Sequence, residues 1–418
     1  MELIRYMVMR FPFLLCLCAL LWAMYPPGPP WGFFGHKKIN EHAVYSLPPQ
    51  MLVFFKPHRD YLIEHAIDPD MRRYASDFEG PRHYIDLDRY GQPPFPTLPR
   101  NWTDALLCHA GFFGLLPSGD TLPLFDSPIV NAWLDSNSSI ALSPAFADST
   151  ATIGYPSMRQ FFKEKLLPQY YESAWIIDPD DLRQLVGLPL SRLQAAWAID
   201  TFTQHGVVPY HLERQTAMLT SAFRQGDPER ILRLAADLGH YLADAHVPLH
   251  TTANYNGQLT NQLGIHAFWE SRLPELYADE TYDLWVGKAT YIEDKTAFFW
   301  NIVTESYALV DSVLSVEKSL SEQWPPDRRF CVEWRNGVQV SQFCEAYARA
   351  YHERLGGMVE RRMRQAILAV SSIWFTAWID AGRPDLSSLP GALPPLLPPP
   401  PDTLPAVHGT DKVRPHEN

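Results

Sequence analysis

Residues 227–250, DPERILRLAADLGHYLADAHVPLH, decide the class of fold. Asp227 ahead of Pro228 reads as a helix start, because the carboxylate can accept from free backbone N–H groups and proline loses nothing at the first helical position. Ile231, Leu234, Leu238, Leu242 and Ala245 then recur at helical spacing and form one apolar stripe. In the same helix His240 and Asp244 stand one turn apart, so both side chains project from one face, and His250 follows just beyond Pro248. GIHAFWE, residues 264–270, repeats the step with His266 and Glu270. Imidazole nitrogens and carboxylates are ligands for Zn²⁺, and two such steps in one short region, with His250 between them, point to a metal. Either pair alone also fits an ordinary solvated helix face. His240 lies roughly 200° round the helix from Leu238, which leaves exposure open.

Working outward, helical patterns cover Ile39 to Ala66, with Pro48 and Pro49 suited to a helix start and an interruption at Pro57. They return over Pro209 to Gln225, Pro228 to Ala245, Ile265 to Tyr277, Ala297 to Leu320 and Val340 to Ala381. The stretch between, about 89–192, contains GQPPFPTLPR and is rich in Pro, Ser and Gly from Thr121 to about Thr152. It reads as an irregular insertion with short helices. Long alternating β-runs are missing, so the expected fold is mainly α: a single multi-helix domain over 31–385. From 386 to 418 the chain becomes proline-rich, with LPPLLPPPPD, and is expected to be a disordered tail. Trp374 and Trp378 read as core.

The chain has 418 residues, 46% of them hydrophobic and 13% aromatic, enough for one large core. A formal charge of −12 gives no basic footprint for duplex DNA. Several bound dications could still make an acidic chain a phosphate handler, since a metal is often the largest charge in its site. Arg5 and Arg10 precede the apolar run Phe11 to Met24, which is shorter than the ~20 residues of a spanning helix. Residues 1–30 are therefore expected to be a leader for export, periplasmic or secreted; an uncleaved membrane anchor is the alternative, because the run ends in PPGPP. Of five cysteines, Cys16 and Cys18 lie in the leader. Cys108, Cys331 and Cys344 allow at most one disulfide, with Cys331 and Cys344 as the candidate pair, and are poor zinc ligands at that spacing.

Upstream stand WGFFGH, with Trp31 and His36, YLIEHAIDPDMRR, with Asp68, Asp70 and Arg73, and RHYIDLD, with His83 and Tyr84. Together with the two His/acid helices, these segments resemble the superfamily of bacterial zinc-dependent phospholipases C and fungal single-strand-specific zinc nucleases. The resemblance spans Trp31 to about Asp385 and leaves most of the insertion without a counterpart. It implies a mainly helical phosphoesterase with about three zinc ions in one cleft. The first would be held by Asp70, His83, His240 and Asp244, the second by His250, His266 and Glu270. The third would take the amino nitrogen and carbonyl of Trp31, with His36, while Asp244 bridges to it. An amide nitrogen has no lone pair to give, so this last ion requires cleavage directly before Trp31, where Pro30 suits ordinary signal peptidase poorly.

Asp70 matches the ligand position of the motif and Asp68 then reads as a turn or helix-end residue. The resemblance gives Asp70 the task of orienting the attacking water and Arg73 that of neutralising phosphoryl charge. Tyr84 stands where the nucleases stack an aromatic ring on a base; a core tyrosine is the other reading. His42, His58, His65, His205, His211 and His246 fall outside the matching positions and read as ordinary helix or loop residues. Glu270 leans toward the phospholipases, whereas WGFFGH and the Asp70 to Arg73 step lean toward the nucleases. The expected substrate is a phosphoester, phospholipid first and single-stranded nucleic acid second, with a zinc-stabilised binding protein as a third reading. No protein partner is inferable.

Overall fold

The computed structural model describes residues 33–389 apart from 74, 136, 137 and 336. The expected leader, Trp31 and the tail beyond Leu389 lie outside the described residues. Five helices build the frame: α1 (Phe33–Tyr45), α2 (Val208–Gln225), α3 (Pro228–Ala245), α4 (Lys295–Ala308) and α5 (Met358–Asp380). The Asp227 carboxylate caps α3 by accepting from the Arg230 N–H, and Pro228 occupies the first turn, as the sequence predicts. α3 is packed by α1, α2 and α5, so its burial goes far beyond one stripe: His240 is 0% and Asp244 1% exposed. That excludes the solvated-face reading of the pair. Trp374 on α5 is fully buried, and its indole N–H donates to the Ala235 carbonyl of α3.

Pro49 begins the short helix Pro49–Phe55, and the chain breaks near Pro57 before Arg59–Glu64, both as expected. The patterns read as Ala297 to Leu320 and Val340 to Ala381 are each divided. The first splits into α4 and Val310–Gln323 around Leu309. In the second, residues from Val340 belong to a strand, then Glu345–Arg354 is helical, and Gly356 and Gly357 take positive φ before α5.

The stretch expected to be irregular is an ordered α+β layer. Strands β1 (Gly111–Leu115), β2 (Thr121–Pro123), β5 (Trp175–Ile177) and β6 (Ala195–Ile199) form an antiparallel sheet in the order β2-β1-β6-β5. β3 (Ser139–Ala141) and β4 (Thr152–Gly154) pair beside it. Trp175, Phe146 and Phe162 are its buried centre. Strands of three to five residues are too short for an alternating pattern to register, which is why the sequence reads as loop. A second unpredicted element is the hairpin of β7 (Phe330–Arg335) and β8 (Val338–Phe343), closed by the Cys331–Cys344 disulfide that the sequence offered as the candidate pair. Cys108 is free and buried. The domain also runs past 385, because Leu386, in the turn Leu386–Ser388, is buried in the core.

Candidate metal centre

Five chain segments meet α3 at one of its ends. α1 brings His36, the short helix Asp68–Arg72 brings Asp70, and the 3₁₀ turn Gly80–His83 brings His83. α3 itself brings His240 and Asp244; the turn Pro248–Thr251 and the segment from Ile265 bring His250, His266 and Glu270. Glu270 lies in a π-helical turn, Phe268–Arg272, that interrupts the helix expected over Ile265 to Tyr277. Every described residue that the sequence nominated as a ligand is present in this cluster. Trp31 alone lies outside the described residues.

The ligand atoms form four overlapping triads whose members lie within 4.8 Å of one another: His83, His240 and Asp244; His36, Asp70 and His240; His250, His266 and Glu270; His36, Asp244 and Glu270. Asp244 presents Oδ2 to His83 at 2.8 Å and to His240 at 3.3 Å, and Oδ1 to His36 at 3.5 Å. Glu270 divides in the same way, with Oε2 at 2.8 Å from His266 and 3.3 Å from His250, and Oε1 at 3.4 Å from His36. This reach of Glu270 to His36 was not anticipated; the sequence assigned it to one ion only. Asp70 Oδ1 lies 3.8 Å from His240, 3.9 Å from His83 and 3.2 Å from the Arg73 guanidinium. Asp68 instead pairs with His65 at 2.8 Å, away from the cluster.

Two rings are aimed by the backbone. His240 Nδ1 donates to the Ala66 carbonyl at 2.8 Å and His250 Nδ1 to the His83 carbonyl at 2.6 Å, which turns each Nε2 toward the carboxylates. His240 Nε2 then faces His83 Nδ1 at 3.1 Å, an arrangement of two ring nitrogens that suits a shared cation. The charges hold one another. Burial opposes charge on His240, but Asp244 and Asp70 outweigh it and lift the ring to about 9. His250 is lifted to about 9 against burial by Asp244 and Glu270. Burial would raise Asp244 and Glu270, yet the neighbouring imidazoles keep both well below the usual carboxylate range. Burial dominates at His83 and pushes it down. A metal dication bound here would replace the protons on His240 and His250 and meet a donor set of imidazole nitrogen and carboxylate oxygen.

Beside the His36 and Glu270 edge lies a small pocket, with room for little more than a water molecule, walled largely by apolar side chains such as Trp269, Val359 and Met363. Its buried cation, Arg362, donates to the His246 carbonyl and to Ser306 Oγ. Tyr84 corrects the stacking expectation. Its ring is 1% exposed and its hydroxyl donates to the Gln204 carbonyl, so no face is open to a base. Among the histidines set aside, His58, His211 and His246 are buried core residues and His246 lines the pocket. Among the described residues no helix is long and apolar enough to cross a membrane. No family model, curated protein or solved structure matches the chain.

Proposed function

We propose that this chain is a zinc-dependent hydrolase of phosphate ester bonds, of the phospholipase C kind, working after export. The observation that carries the reading is the set of four triads sharing Asp244 and Glu270, with the Asp70 and Arg73 pair at their edge. A closed structural zinc site needs about four ligands, whereas eight side chains converge here, as a multinuclear centre requires. Zinc, when bound, supplies Lewis acidity toward the phosphoryl oxygens and a lowered pKa for water.

The chain's own residues then divide the work. Asp70, only partly committed to Arg73, orients the attacking water and accepts its proton. Arg73, buried beside Asp70, presents positive charge to the phosphoryl oxygens. Asp244 and Glu270, each shared by two triads, would hold neighbouring ions when these are bound.

A nuclease reading has one observation in its favour. Phe78, Tyr170 and Tyr171 meet with ring centroids 5.0–5.4 Å apart, and Tyr171 is 58% exposed. Phe78 sits in the segment between Arg73 and His83, so this trio is the candidate stacking platform in place of Tyr84.

The test is metal content together with hydrolysis of phosphatidylcholine and of single-stranded DNA, on chain beginning at Trp31 and on chain retaining earlier residues. About three zinc per chain and cleavage of phosphatidylcholine are the expected result. Cleavage of DNA alone selects the nuclease reading. Zinc with turnover of neither substrate leaves a zinc-stabilised binding protein.

A further inference from the structure

The β7–β8 hairpin carries an apolar surface that the proposed chemistry does not use. Phe330, Val332 and Trp334 alternate along β7 and are 47%, 66% and 70% exposed. They stand opposite Phe343, Ser341 and Gln339, so the strands put no charged residue on this face; the nearest cation, Arg329 over the Phe330 ring, is paired with Glu317. The two charged residues of the hairpin, Glu333 and Arg335, lie on the other face and are tied to the body by ion pairs with Arg272 at 2.7 Å and Glu275 at 2.8 Å. The disulfide clamps its base. Twist and fastening thus hold a tryptophan outward on a rigid arm.

A second charge-free surface adjoins it. Residues 251–265, TTANYNGQLTNQLGI, contain no acidic or basic side chain, and Leu259 and Leu263 are 73% and 60% exposed. The two parts are joined. Gln262 donates to Glu317, which pairs with Arg329 at the foot of β7, and Phe268 stacks on Phe343 at 3.9 Å. The loop also connects His250 to His266, both members of the candidate metal centre.

We propose that the outward face of the hairpin, together with Leu259 and Leu263, docks the protein on a zwitterionic lipid surface. An exposed Trp flanked by aliphatic side chains matches the boundary between headgroups and acyl chains, where one end of the indole is wet and the other apolar. The uncharged ladder face and the uncharged stretch 251–265, with Arg329 neutralised by Glu317, fit a surface of no net charge, whereas an anionic surface would repel a chain of formal charge −12. A second copy of the chain is a poorer occupant. With Leu259 and Leu263 the surface offers on the order of 700 Å², below the ~800 Å² per partner of a stable interface, and two copies of a chain of formal charge −12 repel one another. The proposal deepens the phospholipase C reading and rests on it for its purpose, but its test needs no turnover.

The experiment is co-sedimentation of the full chain with phosphatidylcholine vesicles, read whether or not lipid is cleaved. Wild type is expected to sediment, and the pair Trp334→Ser with Val332→Ser to bind at least about tenfold more weakly, because the transfer of two large apolar groups is lost. Leu259→Ser with Leu263→Ser should weaken binding independently. Zinc content and thermal midpoint control for the fold of both variants. Wild type that ignores phosphatidylcholine, or variants that sediment equally, overturn the proposal. So does binding confined to anionic vesicles and abolished by salt, which would assign it to basic groups. A wild-type dimer in light scattering that becomes a monomer in the Trp334 variant would give the face to a second copy. A wild type without hydrolase activity that still loses vesicle binding in both variants would remove the enzymatic reading and leave the docking surface standing.

Discussion

His83 Nδ1 lies 2.8 Å from Asp244 Oδ2, although 161 positions of chain separate the two residues. The contact ties the turn Gly80–His83 to α3, while the other Asp244 oxygen faces His36 on α1. One carboxylate therefore spans two triads, and its charge is what would let two dications approach if both were filled. Asp244→Asn keeps the shape and removes the charge. We expect it to lose at least about one zinc equivalent per chain and to slow phosphoester hydrolysis by about 100-fold or more, read by elemental analysis and initial rates. Full zinc content with a wild-type rate would dissolve the assignment.

Arg73 gives a separable outcome. It sits 3.2 Å from Asp70 but is itself no ligand, so Arg73→Gln should leave zinc content intact. If its charge acts on the phosphoryl oxygens in the transition state, kcat falls by about 100-fold to 1000-fold, roughly 3 kcal/mol, while KM changes little. A rise in KM alone would make Arg73 a substrate anchor.

The cluster was legible because its ligands sit at helical spacing. His240 with Asp244 and His266 with Glu270 announce their shared face before any tertiary contact is known. What spacing could not convey is how separate segments approach, and so the second reach of Glu270 to His36 emerges only in three dimensions. At Tyr84 the motif leaves stacking and core packing both open, and burial selects the core: a motif position says where a ring lies in the chain and nothing about which face is open. The frame of helices was legible from apolar periodicity. The β7–β8 hairpin was not, because Val340 to Phe343 extends the apolar pattern of the helices that follow and was absorbed into it. Strand pairing across Gly337, in the left-handed region at φ 79°, is the local signal that was passed over.

Gly239 precedes the candidate ligand His240 and touches α1. A Cβ there would overlap Asn40 Oδ1, and Asn40 cannot withdraw freely because its amide donates to the Leu62 carbonyl at 3.1 Å and the Ala236 carbonyl at 3.2 Å. Gly239→Ala must either push α1 from α3 or break those hydrogen bonds. We expect a loss of about 2–4 kcal/mol in denaturant unfolding and a lower zinc content, since His36 rides on α1. An unchanged midpoint would mean that the approach of the two helices is looser than the packing implies.

His211 on α2 tests how burial couples to pH away from the ligands. It is buried beside Tyr241, and burial first, then Arg82 and Arg214, push its pKa well below 6.5. The unfolded chain takes up a proton near pH 6.5 that the folded chain refuses. Stability from this source is whole above that pH and drains as pH falls toward the folded value. Between pH 7.5 and pH 5 the loss from one such group is about 2 kcal/mol. His211→Gln fills similar space without a titrating ring, so its unfolding free energy should fall by that much less over the same interval, whatever constant cost the substitution adds. Parallel pH profiles for wild type and variant would show that the folded state protonates His211 as readily as the unfolded chain does, and would place water or an acidic partner against the ring.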